Sequence, residues 1–100
     1  MAVILEQVMP EGVSLEMLDL VTDEMKVDED PPEGMRVHVH FGQDGRIRIV
    51  DVWDSQEAFE SFRENRLMPA MQAVMQRQGG EPPEQPDESI TPVHRIVRGR

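Results

Sequence analysis

Between Met35 and Trp53 polar and apolar residues alternate on both sides of one turn, and this stretch constrains the fold more than any other. Arg36-Val37-His38-Val39-His40-Phe41 and Arg46-Ile47-Arg48-Ile49-Val50-Asp51-Val52-Trp53 flank Gly42-Gln43-Asp44-Gly45. A period of two places successive side chains on opposite faces of a strand. Asp44-Gly45 suits the positive φ angles of a two-residue type I′ turn, so the stretch reads as a β-hairpin. That turn pairs Gln43 with Arg46. It predicts Val37 opposite Val52, Val39 opposite Val50 and Phe41 opposite Arg48 on one face. The other face then holds Arg36 opposite Trp53, His38 opposite Asp51 and His40 opposite Ile49, with Ile47 beside them. A three-residue loop with Gly45 as a bulge would instead move Ile47, Ile49 and Trp53 to the face of Val37 and Val39.

Around the hairpin the signals change period. Ala2 to Val8 is a short apolar run bounded by Pro10 and Gly12, and reads as a strand. Ser14 can cap a helix whose Leu15, Leu18, Val21 and Met25 recur at helical spacing, ending near Lys26 or Val27. Pro31, Pro32 and Gly34 turn the chain into the hairpin. After it, Asp54 with Glu57 three residues on is a helix start, and Ser55 is nearly as good a cap. Ala58, Phe59 and Phe62 make the first apolar stripe. Pro69 belongs in the first turn of a second helical piece, where Ala70, Met71, Val74 and Met75 form a new stripe. Gly79-Gly80 stops that piece, and residues 79–90 read as a proline-rich connecting loop. Val93-His94-Arg95-Ile96-Val97 alternates and reads as the last strand, with Pro92 at its entry on a sheet edge.

The resulting order, β-α-β-β-α-β, is that of a ferredoxin-like α+β fold: an antiparallel sheet with both helices on one face. At 100 residues and 38% hydrophobic content the chain has material for one domain, spanning 1–100. The face of Val37, Val39, Val50 and Val52 is expected to receive the helices. The face of Ile47, Ile49 and Trp53 is too apolar to be left in water and is expected to meet a second copy, giving a homodimer. Either register leaves the Arg46–Trp53 strand apolar on both sides, so the dimer expectation does not depend on the turn.

Charge narrows the partners. Twenty acidic residues against ten basic ones give a net charge of −10, and residues 1–34 carry ten of the acids with Lys26 as their one base. Nucleic acid is not an expected partner, since phosphate affinity comes from Lys and Arg. The acidic run Asp23 to Glu33 reads as a solvated helix end and turn, because Asp28-Glu29-Asp30-Pro31-Pro32 lacks the spacing of a calcium loop. The absence of cysteine excludes a disulfide scaffold, a thiol nucleophile and a thiolate metal site. No run approaches the ~20 apolar residues of a membrane span, and the first residues lack a basic signal-peptide start. No membrane partner is expected, and a cytoplasmic location is.

With this order in hand, Pro31-Pro32-Glu33-Gly34-Met35-Arg36-Val37-His38, then Val50-Asp51-Val52-Trp53-Asp54-Ser55-Gln56-Glu57-Ala58-Phe59 and Arg66-Leu67-Met68-Pro69-Ala70, resembles the dimeric α/β-barrel superfamily related to antibiotic-biosynthesis monooxygenases. The most specific part is the Trp-x-Ser-x-x-Ala-Phe join between strand and helix. The resemblance implies two ferredoxin-like subunits whose sheets form a shared barrel, a ligand cleft between sheet and helices, and monooxygenase-like activity on a small apolar or aromatic molecule. Cofactor-independent members place Asn, Trp, Tyr, Arg or His around the substrate. This chain has no Tyr, and its one Asn, Asn65, lies in the second helical region rather than on the first strand.

The candidate ligand-binding residues are His38, His40, Asp51 and Trp53, with His38 and Asp51 as candidate catalytic residues. In a His–Asp pair the carboxylate fixes the imidazole tautomer and prepares the ring as a general base. His38 and His40 form a His-x-His on one strand and could begin a metal site. A mononuclear site needs three or four ligands, so neither a metal nor another cofactor is expected. The bland alternatives are that His38 and His40 are satisfied strand histidines, that Trp53 is a core or interface anchor, and that the chain is a non-enzymatic interaction module.

Overall fold

A computed structural model describes residues 1–79 and 84–100. Strand β1 (Val3–Val8) leads to helix α1 (Leu15–Met25). The Ser14 hydroxyl accepts the Met17 N–H at 3.1 Å, satisfying one of the free donors at the start of α1. Lys26, at φ 55°, ends the helix in the left-handed region. Strands β2 (Met35–Gln43) and β3 (Arg46–Trp53) form the hairpin. Asp44 at φ 54° and Gly45 at φ 75° make the two-residue turn, and the pairs His38–Asp51, Val39–Val50 and His40–Ile49 follow as expected. The register slips only between Met35 and Val37, so Trp53 lies opposite Met35 rather than Arg36.

Helix α2 (Gln56–Phe62) is capped by Ser55, whose hydroxyl accepts the Ala58 N–H at 3.1 Å. Asp54, expected as the first choice of cap, is paired with Arg36 instead. The helical path continues through one π-helical turn, Arg63–Leu67, into α3 (Met68–Gln78). Pro69 sits at the start of α3, where its missing N–H cannot serve the carbonyl four residues back, and the wider π turn absorbs the mismatch. Gly79, at φ 74°, ends α3 with its N–H on the Met75 carbonyl. Gly80 and Glu81-Pro82-Pro83, expected as part of the stop and the connecting loop, lie outside the described residues.

The last strand is not where the alternation of Val93–Val97 places it. Strand β4 is Asp87–Pro92, beginning within the stretch 79–90 expected as loop and running two residues past it, and Pro92 closes the strand rather than opening it. Ile90 decides this register, because it lies opposite Leu5 and packs into the core, whereas Val97 is 81% exposed. The flanking Glu88 is held by the Gln7 amide at 2.7 Å and by Arg63, so a polar segment can pair there without loss. The sheet order is β2-β3-β1-β4 with every neighbour antiparallel. This is the expected ferredoxin-like α+β architecture with helices on one face.

The two sheet faces are the reverse of the expectation. Trp53, Asp51 and Ile49 are buried on the helix-covered side with Val3 and Leu5, while Val37, Val39 and Phe41 are exposed. The core gathers Val3, Leu5, Trp53, Phe59 and Phe62; a second cluster of Val21, Ala70 and Val74 joins α1 to α3. The helices settle on this side because it carries the largest apolar volume. Phe59 and Phe62 lean on Trp53 with ring centroids 5.7 and 5.0 Å away, a tilted arrangement that aromatic quadrupoles favour.

Gly34 fixes how closely α2 approaches the start of β2. It has φ +85°, and a Cβ there would come within 2.7 Å of the Ala58 Cβ. Gly34→Ala is therefore expected to lower stability by about 1–3 kcal/mol, read as a shifted urea midpoint. Gly42→Ala, with no atom within 4 Å of its added carbon, should leave the midpoint unchanged or slightly raised.

Candidate functional site

The alternation of β2 and β3 puts His38, His40, Asp51 and Trp53 on the helix-covered side, and the hairpin register sets His38 beside Asp51. Asp51 is 3% exposed. Burying a carboxylate at that depth is costly unless donors replace water, and here two do. The Trp53 indole Nε1–H donates to Asp51 Oδ2 at 3.1 Å, and His38 Nδ1 lies 2.6 Å from Oδ1. With Asp51 ionised both of its oxygens can only accept, so His38 Nδ1–H is the donor in the second bond, which fixes the ring's orientation.

From His38 the polar contacts run outward. His38 Nε2 is 3.2 Å from His40 Nδ1, the two rings meeting edge to face at 72° with centroids 5.3 Å apart. His40 Nε2 is in turn 3.2 Å from Asp19 Oδ1 on α1. The side chains go from 5% exposed for Asp51, through 29% for His38 and 21% for His40, to 65% for Asp19 at the surface end. Asp19 escaped the sequence reading, because only the docking of α1 over β2 brings it to the histidines. No local pattern marks it among the neighbouring acids.

All four predicted site residues are thus brought together, but Trp53 contributes as a buried support rather than a surface. The two histidine nitrogens that could face a metal point at each other. Among the described residues no group of three or more His, Asp and Glu is placed to hold a metal ion. No helix among them is long and apolar enough to cross a membrane.

Two open grooves lie elsewhere. One of ≈ 510 Å³ runs between α2 and the segment entering β2, lined by Gly34, Asp54, Ala58, Phe62, Asn65 and Arg66. The other, ≈ 370 Å³, lies over Glu6, Val8, Phe41, Arg48 and Val50 on the uncovered sheet face. Neither is lined by His38, His40, Asp51 or Trp53. Asn65 lies in the π-helical turn beside the larger groove, with its amide donating to Ser61 Oγ at 3.2 Å.

No protein-family model matches the sequence, and no curated protein does. Solved structures do match over nearly the whole chain. A protein from Chloroflexus aurantiacus described as an antibiotic biosynthesis monooxygenase is 17% identical, covering 99% of this chain and 100% of its own at a TM-score of 0.59. SnoaB, a cofactor-independent oxygenase from Streptomyces nogalater, is 12% identical over 98% and 97% of the two chains, at 0.60. A variant of MhuD with two manganese protoporphyrin IX bound per active site is 19% identical over 99% and 100%, at 0.61. At these identities the likeness speaks for the backbone and its element order: this chain has the ferredoxin-like fold of the antibiotic-biosynthesis-monooxygenase-like proteins.

Proposed function

We propose that the chain acts in the cytoplasm as a homodimer of the α/β-barrel type that binds a small apolar or aromatic molecule beside His38 and His40 and carries out monooxygenase-like chemistry on it. The observation behind this reading is the His38–Asp51 pair, a partly open imidazole held by a buried carboxylate that Trp53 holds in turn. That is the arrangement of an oriented general base. His38 Nε2 accepts the acidic proton of the ligand in place of the one offered by His40. Asp51 keeps the ring in place and stabilises the imidazolium. The fold neighbours described as monooxygenases and as a cofactor-independent oxygenase support the reaction class by analogy of fold. No cofactor has a role in this proposal.

The second reading is an interaction module without chemistry. It is favoured by the placement of both grooves away from the histidines. Titration with 1-naphthol, a small aromatic with an acidic hydroxyl, separates the two. Trp53 is the sole tryptophan, so its indole N–H gives a single reporter resonance. Saturable movement of that resonance and of the His38 ring signals, lost in His38→Ala, is the expected result. Signals that stay still to millimolar naphthol would favour the module.

A further inference from the structure

The contacts beyond the His38–Asp51 pair have a proton count of their own. Three contacts link four groups in series: Asp51 to His38 at 2.6 Å, His38 to His40 at 3.2 Å, and His40 to Asp19 at 3.2 Å. Each needs one hydrogen, and the ionised carboxylates at the two ends can only accept. The four imidazole nitrogens must then carry three hydrogens among them. Two neutral rings supply two, so the complete chain contains one additional proton, held by the pair as a whole.

The middle contact can hold that proton from either side. With His40 as the imidazolium, Nδ1–H donates to His38 Nε2; with His38 as the imidazolium, His38 Nε2–H donates to His40 Nδ1. Moving the proton across 3.2 Å interchanges the two states without breaking a bond at either end. The outer end is Asp19, whose side chain is 65% exposed, while the inner end, Asp51, is 5% exposed.

We propose that His38, His40 and Asp19 form a proton path from the buried Asp51 carboxylate to solvent, with a single proton shared between the two imidazoles. Its use rests on the reading of His38 as a base: the path returns the ring to its accepting state between turnovers by passing the proton out through His40 to Asp19 and water. Asp19 is a positioning residue in this scheme and touches no ligand, while His40, beside the ligand, carries the proton onward. The count balances: the proton taken up at His38 Nε2 passes to His40 Nδ1, a second proton leaves His40 Nε2 through Asp19 to water, and a turn of the His40 ring restores its N–H toward Asp19.

The test is a count of protonated ring nitrogens by long-range ¹H–¹⁵N spectra of ¹⁵N-histidine-labelled full-length protein at pH 7, with the signals of His38 and His40 told apart from those of the exposed His94. The wild type is expected to show three protonated nitrogens across His38 and His40. Asp19→Asn should show two, because the asparagine amide can donate to His40 Nε2 and no second carboxylate remains to hold the extra proton. Asp19 is at the surface, so the variant is expected to fold, which its backbone amide spectrum checks. Two protonated nitrogens in the wild type, four in the wild type, or three in both proteins would each overturn the path. A count that falls from three to two while naphthol leaves the signals unmoved would uphold the path and remove the base reading.

Discussion

Trp53→Ala is expected to destabilise the protein by about 3–5 kcal/mol, the range for truncating a large aromatic in a packed core. Trp53 is fully buried, fills the space between the sheet and Phe59 and Phe62, and donates to Asp51. Domains of this size hold only about 5–15 kcal/mol in total, so such a loss would leave a substantial unfolded fraction in mild urea. The check is the shift of the urea midpoint at constant slope. Trp53→Phe separates packing from hydrogen bonding, because it keeps an aromatic ring and removes the N–H. About 1–3 kcal/mol is expected for leaving Asp51 Oδ2 without its donor. A Trp53→Phe protein as stable as the wild type would show that the indole does not hold the carboxylate.

That dual role explains why the site was legible in outline and its setting was not. Asp44-Gly45 determines the turn locally, and from the turn alone His38 falls beside Asp51. The choice of face is not local. Both faces of the hairpin carry enough apolar residues to receive helices, and a histidine pair and an aspartate argue for the open one. What decides is volume matched to Phe59 and Phe62, together with the fact that Trp53, Asp51 and His38 satisfy one another once buried.

The β4 displacement has a similar cause. Val93–Val97 has the stronger alternation, but β1 offers Leu5 one apolar partner, and Ile90 fills it. Gln7 and Arg63, distant in sequence, make Glu88 acceptable beside it. Asp19 illustrates the limit most sharply. It is one acid in an acidic N-terminal third, and only the fold selects it.

The inversion of the faces also relocates the surface on which the proposed homodimer rests. The open face presents Val37, Val39 and Phe41 at 45%, 46% and 36% exposure, with Ile4, Val8, Val50 and Val52 half-buried around them. A contiguous apolar surface of this kind, next to Glu6 and Arg48 of opposite charge, suits a self-complementary two-fold contact with a second copy. Val39→Asp places a carboxylate in the middle of that contact twice per dimer. Leaving a buried charge unpaired costs about 3–5 kcal/mol, so the dimer should weaken by at least ~10²-fold. The fold of each chain should survive, because Val39 is exposed in the single subunit.

The arrangement of one sheet face closed by the chain's own helices and the other by a second copy is tested most directly by light scattering on the purified protein at micromolar concentration. The wild type is expected at twice the 11.5 kDa of one chain, and Val39→Asp at the single-chain mass with its far-ultraviolet circular dichroism unchanged. A wild-type protein that stays monomeric under those conditions, or a Val39→Asp dimer as tight as the wild type, would contradict it.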